Sequence, residues 1–343
     1  MDEALEACRR AAAIAPGSPP VLTGLADTLS ELRRYGEAQE LYGQAVDLDH
    51  EAIAPQLGAA ANLVKARSMS MARLAYDSLL ENWDYGRDRA LLGAAALMVI
   101  AGEYEAALDL YGRITIPENA SLPTLLALYG KGFCLMKVGR QAEAEYFLST
   151  LVDRVPGEYD GPAKGREFLF RAYEDLVRYF SAKGRERKVL SLLRSACDRP
   201  LAPVRLARRL SDILESRGRE EDAALVLEEA ILRSDPREDP LDLGDAALRL
   251  ARRRTSNGRR RVRGGSEAAR ALRLAAERIA GCDLGIAHYR LARAQALLGD
   301  GASAIESLAR ARGHGYLPTD LLEGEADFDS LRGEEAFRRL LDR

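Results

Sequence analysis

One tryptophan, three histidines and four cysteines in 343 residues leave little material for site chemistry. Cys8, Cys134, Cys197 and Cys282 are widely scattered with no C-x-x-C pair, which excludes a zinc knuckle or a disulfide framework. Each sits in or beside an apolar helical pattern, where a free thiol packs as a small hydrophobe. That usage predicts a reducing compartment. His50, His288 and His314 have no carboxylate and nucleophile together within helical reach. There is no phosphate-binding glycine loop, no metal-spaced His/Glu pair and no nucleophile elbow. The expectation is therefore no enzyme, no metal, no cofactor and no small-molecule substrate. Val, Ile and Thr are sparse, which argues against a sheet protein. The most apolar segment, Ala90 to Ala101, is about a dozen residues and too short to span a bilayer. The start, Met1-Asp2-Glu3-Ala4-Leu5, has no basic leader and no apolar run. No signal peptide, no membrane and a cytoplasmic location are the expectations. A net charge of −3 gives no global pull toward nucleic acid or anionic lipid.

What is present in quantity is Leu, Ala, Arg and Glu, all strong helix formers. They fall into a repeat. Ala4, Ala38 and Ala72 are 34 residues apart, Ala107 follows after 35 and Ala144 after 37. Four residues after each stand Cys8, Tyr42, Tyr76, Tyr111 and Leu148, and three later Ala11, Ala45, Leu79, Ile114 and Leu151. Spacing of i, i+4, i+7 puts each trio on one stripe of a helix. Alternating small and large side chains let two helices approach closely at one point and interlock at the next. The fullest copy is Gly102-Glu103-Tyr104-Glu105-Ala106-Ala107-Leu108-Asp109-Leu110-Tyr111, and Tyr35-Gly36-Glu37-Ala38 opens another. Asp2 to Ala15 reads as a second helix with no first helix before it, and Pro19-Pro20 opens the next pair.

The period of 34 and the Gly-x-Tyr-x-x-Ala…Tyr…Ala…Pro order resemble the tetratricopeptide repeat. Pro16 and Pro156 hold the family's closing proline, while His50, Asp84 and Asn119 depart from it. The family tryptophan is replaced by Leu22, Gln56, Leu91, Leu128 and Tyr173. The resemblance implies an all-α, right-handed superhelical solenoid of antiparallel helix pairs, with about eight to nine hairpins and a C-terminal capping segment. Residues 1–156 form the regular array. Residues 157–317 are expected to be degenerate hairpins with an Arg-rich insertion at 249–265, and 318–343 the capping helices.

The family binds partners in a groove lined by its first helices. Carried over by register, the groove takes Thr23, Asp27 and Ser30, then Leu57, Ala61 and Val64, then Leu92, Ala96 and Val99. Tyr129, Phe133 and Met136 follow, then Arg171, Glu174 and Arg178, then Arg205, Arg208 and Asp212, and last Tyr289 and Arg293. The middle is apolar and the C-terminal half rich in arginine. A second reading of the middle first helices is that they are apolar all round because neighbours cover both faces. The chaperone-tail clamp of some family members needs paired Asn and Lys that Asn62, Asn82, Asn119 and Asn257 do not supply. Arg249 to Gly265 carries eight arginines and no acid: Arg249, Arg252, Arg253 and Arg254, then Arg259, Arg260, Arg261 and Arg263. Three uses are open to it: a solvated loop, a phosphate grip without base stacking, or a contact with the acidic tail, Asp320 to Asp329. The function expected is a non-catalytic scaffold for a protein or peptide. The alternative is an adaptor for RNA or DNA acting through the arginine segment.

Overall fold

The computed structural model describes residues 2–83, 86–116, 121–155, 163–256, 265–317, 322 and 324–341. Every element among them is helical. The second helices of the array are α1 (Asp2–Ile14), α3 (Tyr35–Leu48), α5 (Met69–Asn82), α7 (Tyr104–Gly112) and α9 (Gln141–Arg154). Between them run the first helices α2 (Pro19–Glu31), α4 (Ile53–Lys65), α6 (Arg87–Ala101) and α8 (Leu122–Lys137). Each helix packs on its neighbours in the chain, and α2 on α4, α4 on α6 and α6 on α8. The fold is thus the all-α, sequential stacking of helix pairs that the spacing predicts.

The repeated stripe is the core. Ala38, Ala72, Ala107 and Ala144 are buried, as are Tyr42, Tyr76, Tyr111 and Leu148 four residues on. What the large side chains interlock with is glycine in the next first helix. A Cβ at Gly58 would overlap the Tyr42 ring, one at Gly93 the Tyr76 ring, and one at Gly130 the Tyr111 ring. The absence of a side chain there lets the ring lie against the neighbouring backbone. Ala4 and Ala11 instead are exposed, and Leu5 makes α1's buried contact.

The turns share one closure. Glu103 N–H bonds back to the Met98 carbonyl at 2.9 Å, and Gly102 sits at φ 79°. Arg34 repeats the bond to Leu29 and Ser68 repeats it to Leu63. There the left-handed position is held by Arg33 (φ 62°) and Arg67 (φ 61°). Gly36, expected at a turn, lies inside α3.

Two compact units divide the chain within one helix, α10 (Ala163–Ala182). The N-terminal unit runs to Val155 and takes in α10 through Ala172, and the C-terminal unit starts at Tyr173. The latter continues with α11 (Glu186–Cys197), α12 (Val204–Ser216), α13 (Glu220–Arg233), α14 (Pro240–Ser256), α15 (Gly265–Ile279), α16 (Gly285–Leu297) and α17 (Gly301–Gly313). A 3-10 turn, Ala326–Leu331, and a short helix, Glu335–Leu341, follow. Stacking here is less regular, since α13 packs on α15 and α14 lies directly against α16. Phe328 and Phe337 are buried with Tyr289, Leu308 and Leu331, so the last segment closes the core. The expected short helix around Leu321 and the inserted loop 157–162 lie outside the described residues.

Candidate functional site

On the N-terminal unit the first helices present one face to their second helices and to each other, and a second face outward. Leu57, Val64, Leu92, Val99, Phe133 and Met136 stand at its edge, half-buried against the core. Neighbours cover Leu91, Ala94, Ala95, Leu97 and Met98 of α6, while Leu92 and Val99 keep part of their surface in contact with solvent. Tyr129 stacks on Phe133 with ring centroids 6.2 Å apart. Its other side meets Phe168 of α10 at 5.4 Å. Tyr104, at the start of α7, meets the Phe133 edge at 6.2 Å. Lys137 Nζ lies 5.2 Å from the Phe133 centroid. The result is a row of four rings with a cation beside one of the inner two, Phe133. Tyr104 and Phe168 were not among the expected groove residues. Phe168 precedes Arg171 by three places on the same helix, and that spacing is the signal that points to it.

Asp27 is exposed, and its carboxylate accepts a hydrogen bond from the Tyr42 hydroxyl. Burial first, and that carboxylate second, hold the Tyr42 phenol well above its usual range. Asp27 thus anchors a core tyrosine.

The C-terminal unit shows a different face. Arg205 pairs with Glu174 of the preceding first helix. Arg208 reaches Asp242 and, at 3.2 Å, Asp245 of the following one, and Arg290 holds Asp245 at 2.9 Å. Asp212 receives Arg249, and Arg253, which is buried, reaches Asp212 at 3.4 Å and Glu215 at 2.6 Å. Arg252 and Arg293 converge on Asp327 at 3.0 and 2.8 Å, with Glu325 2.6 Å from Arg293. Arg254 bridges Glu221 and the buried Glu228 at 2.8 and 2.9 Å. Arg171 and Arg178 pair within α10, with Glu167 and with Asp175. The arginines expected along this half are thus each matched by a carboxylate.

Two expectations are corrected by this geometry. Helix α14 runs through Ser256, so Arg249 to Arg254 lie on a helix and not in a solvated loop. Apolar Leu243, Ala246, Ala247, Leu250 and Ala251 on its buried face carry the helix that far. Among the described residues, Arg252 alone of the four meets the acidic tail, at Asp327, while Arg249, Arg253 and Arg254 pair with acids of α12 and α13. Arg259, Arg260, Arg261 and Arg263 lie outside the described residues. Tyr289, expected in the groove, is buried against Tyr316 and Phe328, with ring centroids at 5.6 and 5.9 Å. The tail covers it.

Other ionisable groups are perturbed by burial. Glu238 is pushed up to about 7, by burial foremost and by Asp242 and Asp235, against the opposing pull of the Val204 backbone N–H and Arg205. His288 is buried, stacks on His314 at 5.4 Å and lies 3.0 Å from the Cys282 carbonyl through Nε2. Burial lowers its pKa. Among the described residues no three His, Cys, Asp or Glu side chains are grouped to hold a metal ion. No described helix is long and apolar enough to cross a membrane.

The family description "Tetratricopeptide repeat" matches residues 1–63. A comparison with curated proteins finds no match. Among solved structures, YrrB, described as a TPR protein with an unusual peptide-binding site, is 20% identical. It covers 57% of this chain and 93% of its own, with a TM-score of 0.39. Human IFIT1, solved as a dimer with PPP-AAAA, is 15% identical over 92% of this chain and 69% of its own, with a TM-score of 0.48. The C-terminal part of a TPR repeat-containing protein from Cytophaga hutchinsonii is 14% identical over 78% and 99%, with a TM-score of 0.46. The family match thus covers residues 1–63, and the same stacking of helix pairs, with Tyr76, Tyr111 and Leu148 in the place of Tyr42, continues through α9.

Proposed function

We propose that the protein is a non-catalytic scaffold that holds a protein or peptide segment on the first-helix face of its N-terminal unit. The observation that carries this reading is the row of half-buried rings, Tyr104, Phe133, Tyr129 and Phe168, beside Leu92, Val99 and Met136. Large rigid aromatics give contact area at low entropic cost and are frequent binding hot spots. An apolar stripe on a helical surface suits an amphipathic helix or an extended apolar segment. All four cysteines are free, which suits a reducing compartment, and we place the binding in the cytoplasm. The adaptor for RNA or DNA has less support. Arg249, Arg252, Arg253 and Arg254 are engaged by the protein's own carboxylates, and a phosphate would have to displace them.

The test is affinity capture with the full chain and with the triple variant Tyr129→Ala, Phe133→Ala, Met136→Ala, at low and high salt and with nuclease. The expected outcome is a protein retained by the parent under every condition and lost by the variant, with the helical circular dichroism unchanged. Undiminished capture by the variant refutes the face, and capture abolished by nuclease moves the function to nucleic acid.

A further inference from the structure

The second-helix side of the C-terminal unit is closed on one flank of α13 and open on the other. On one flank α13 packs against α15. On the other a cleft of about 380 Å³ separates it from the end of α11. Its floor is apolar: Leu210 and Leu214 of α12, both buried. Its α13 wall is a single stripe, Asp222, Leu225, Val226, Glu229, Ala230 and Arg233, at the spacing that puts residues on one helical face. From Arg219 to Arg233 that wall runs about 20 Å, at 1.5 Å per residue. Leu225 is 39% exposed there, among the few large apolar side chains that the described surface leaves open.

The charges on the two walls differ in what is left over. On the α13 wall, Asp222 takes Arg219 at 2.6 Å and Glu229 stands 3.9 Å from Arg233, so the wall is balanced. On the α11 wall, Arg194, Asp198 and Arg199 set two cations against one acid, and Arg194 is exposed and makes no ion pair among the described residues. Small-molecule pockets are lined mostly by apolar groups with a few convergent polar ones. Here an arginine–acid pair stands at each end of the wall about an apolar centre, which is the pattern of a helix that faces another helix.

We propose that this cleft holds one amphipathic helix of a partner protein, its apolar row on Leu225 and Val226 and an acidic residue on Arg194. The site lies within the C-terminal unit and does not rest on the groove reading above.

The probe is a fluorescein-labelled peptide of about 16 residues, long enough to be helical, with leucines at i, i+4, i+7 and i+11 flanked by glutamates. A twin carries lysines in place of the glutamates. Fluorescence anisotropy with the full chain is expected to show the glutamate peptide binding about tenfold tighter than its twin. Leu225→Glu should weaken the glutamate peptide about tenfold, and Arg194→Glu should reverse the preference in favour of the lysine twin. That reversal distinguishes a lost contact from a misfolded variant. Equal affinity for the two peptides, no measurable binding, or unchanged binding to Leu225→Glu overturns the proposal.

Discussion

The two units reach the same helix-pair build by different means. In the N-terminal unit, successive pairs lock through an aromatic ring laid over a glycine, as Tyr76 lies over Gly93. Little charge is involved, and the outward face keeps half-buried aliphatic and aromatic groups. In the C-terminal unit, successive first helices are tied by arginine–carboxylate pairs such as Arg208 with Asp242, and Arg254 of α14 holds the buried Glu228 of α13. First-helix arginines already matched by carboxylates have little left for an outside anion. An apolar face has no such partner, and that is why the proposed binding face is set on the N-terminal unit. The same difference assigns the two units different weak points. Ring-on-glycine packing fails by added volume, and an ion-pair ladder fails by removal of one member.

The largest effect is expected from Arg254→Met, which leaves the buried Glu228 carboxylate unmatched. Breaking a buried pair from one side costs about 3–5 kcal/mol. The double variant Arg254→Met, Glu228→Met should recover most of that, because a well-packed apolar pair replaces a desolvated ionic one. Thermal unfolding of the parent, single and double variants measures both. A single variant as stable as the parent would mean that the ladder does not hold this unit together.

Next comes Gly93→Ala. The new Cβ overlaps the buried Tyr76 ring. Overpacking of this kind costs about 1–3 kcal/mol. Tyr76→Leu in the Gly93→Ala background should return part of the loss, since it removes the ring that the methyl meets. Hydrogen exchange of α5 and α6 reads the effect within the unit itself.

The stripe of Ala38, Tyr42 and Ala45 was legible because it is local: three positions on one helix repeat at a fixed period. The shared face of Tyr129, Phe133 and Met136 on α8 was legible for the same reason, and the three are half-buried as a set. Partnerships between helices were not. Glu174 and Arg205 are 31 residues apart, and Arg252 and Asp327 are 75 apart. No sequence spacing specifies which carboxylate an arginine will meet after three or more turns of chain. Arg249 to Arg254 therefore read as surplus charge. The burial of Tyr289 was hidden likewise, since the segment that covers it comes later in the chain.

A smaller effect separates the units by pH. Glu238 titrates near 7 in the folded protein against 4.5 as its ordinary value, with burial as the main cause. A carboxyl raised in the folded state binds its proton more tightly there than in the unfolded chain. Stability therefore falls as pH rises from 4.5 to about 7, and the penalty is fully present above that. Glu238→Gln keeps an acceptor for the Val204 N–H and removes the charge. It should raise stability by about 1–2 kcal/mol at pH 8 and leave it nearly unchanged at pH 4.5. Equal melting temperatures of parent and variant at pH 8 would refute the perturbation.

The smallest effect concerns the turns of the N-terminal unit. Arg67 stands at φ 61°, where Gly102 stands at 79° in the next hairpin, and both turns make the same backbone closure. A side chain in the left-handed region crowds its own carbonyl and costs about 1–2 kcal/mol, and glycine is free of that cost. Glycine also widens the unfolded ensemble, which takes back part of the gain. Arg67→Gly should therefore stabilise the unit by about 0.5 kcal/mol, while Gly102→Arg should destabilise it by about 1 kcal/mol. The pair tests the closure itself. If the turn is held by the Ser68-to-Leu63 hydrogen bond, the two changes move stability in opposite directions. If both changes destabilise, Arg67 contributes through its side chain, and the left-handed position is not the strained point of the repeat.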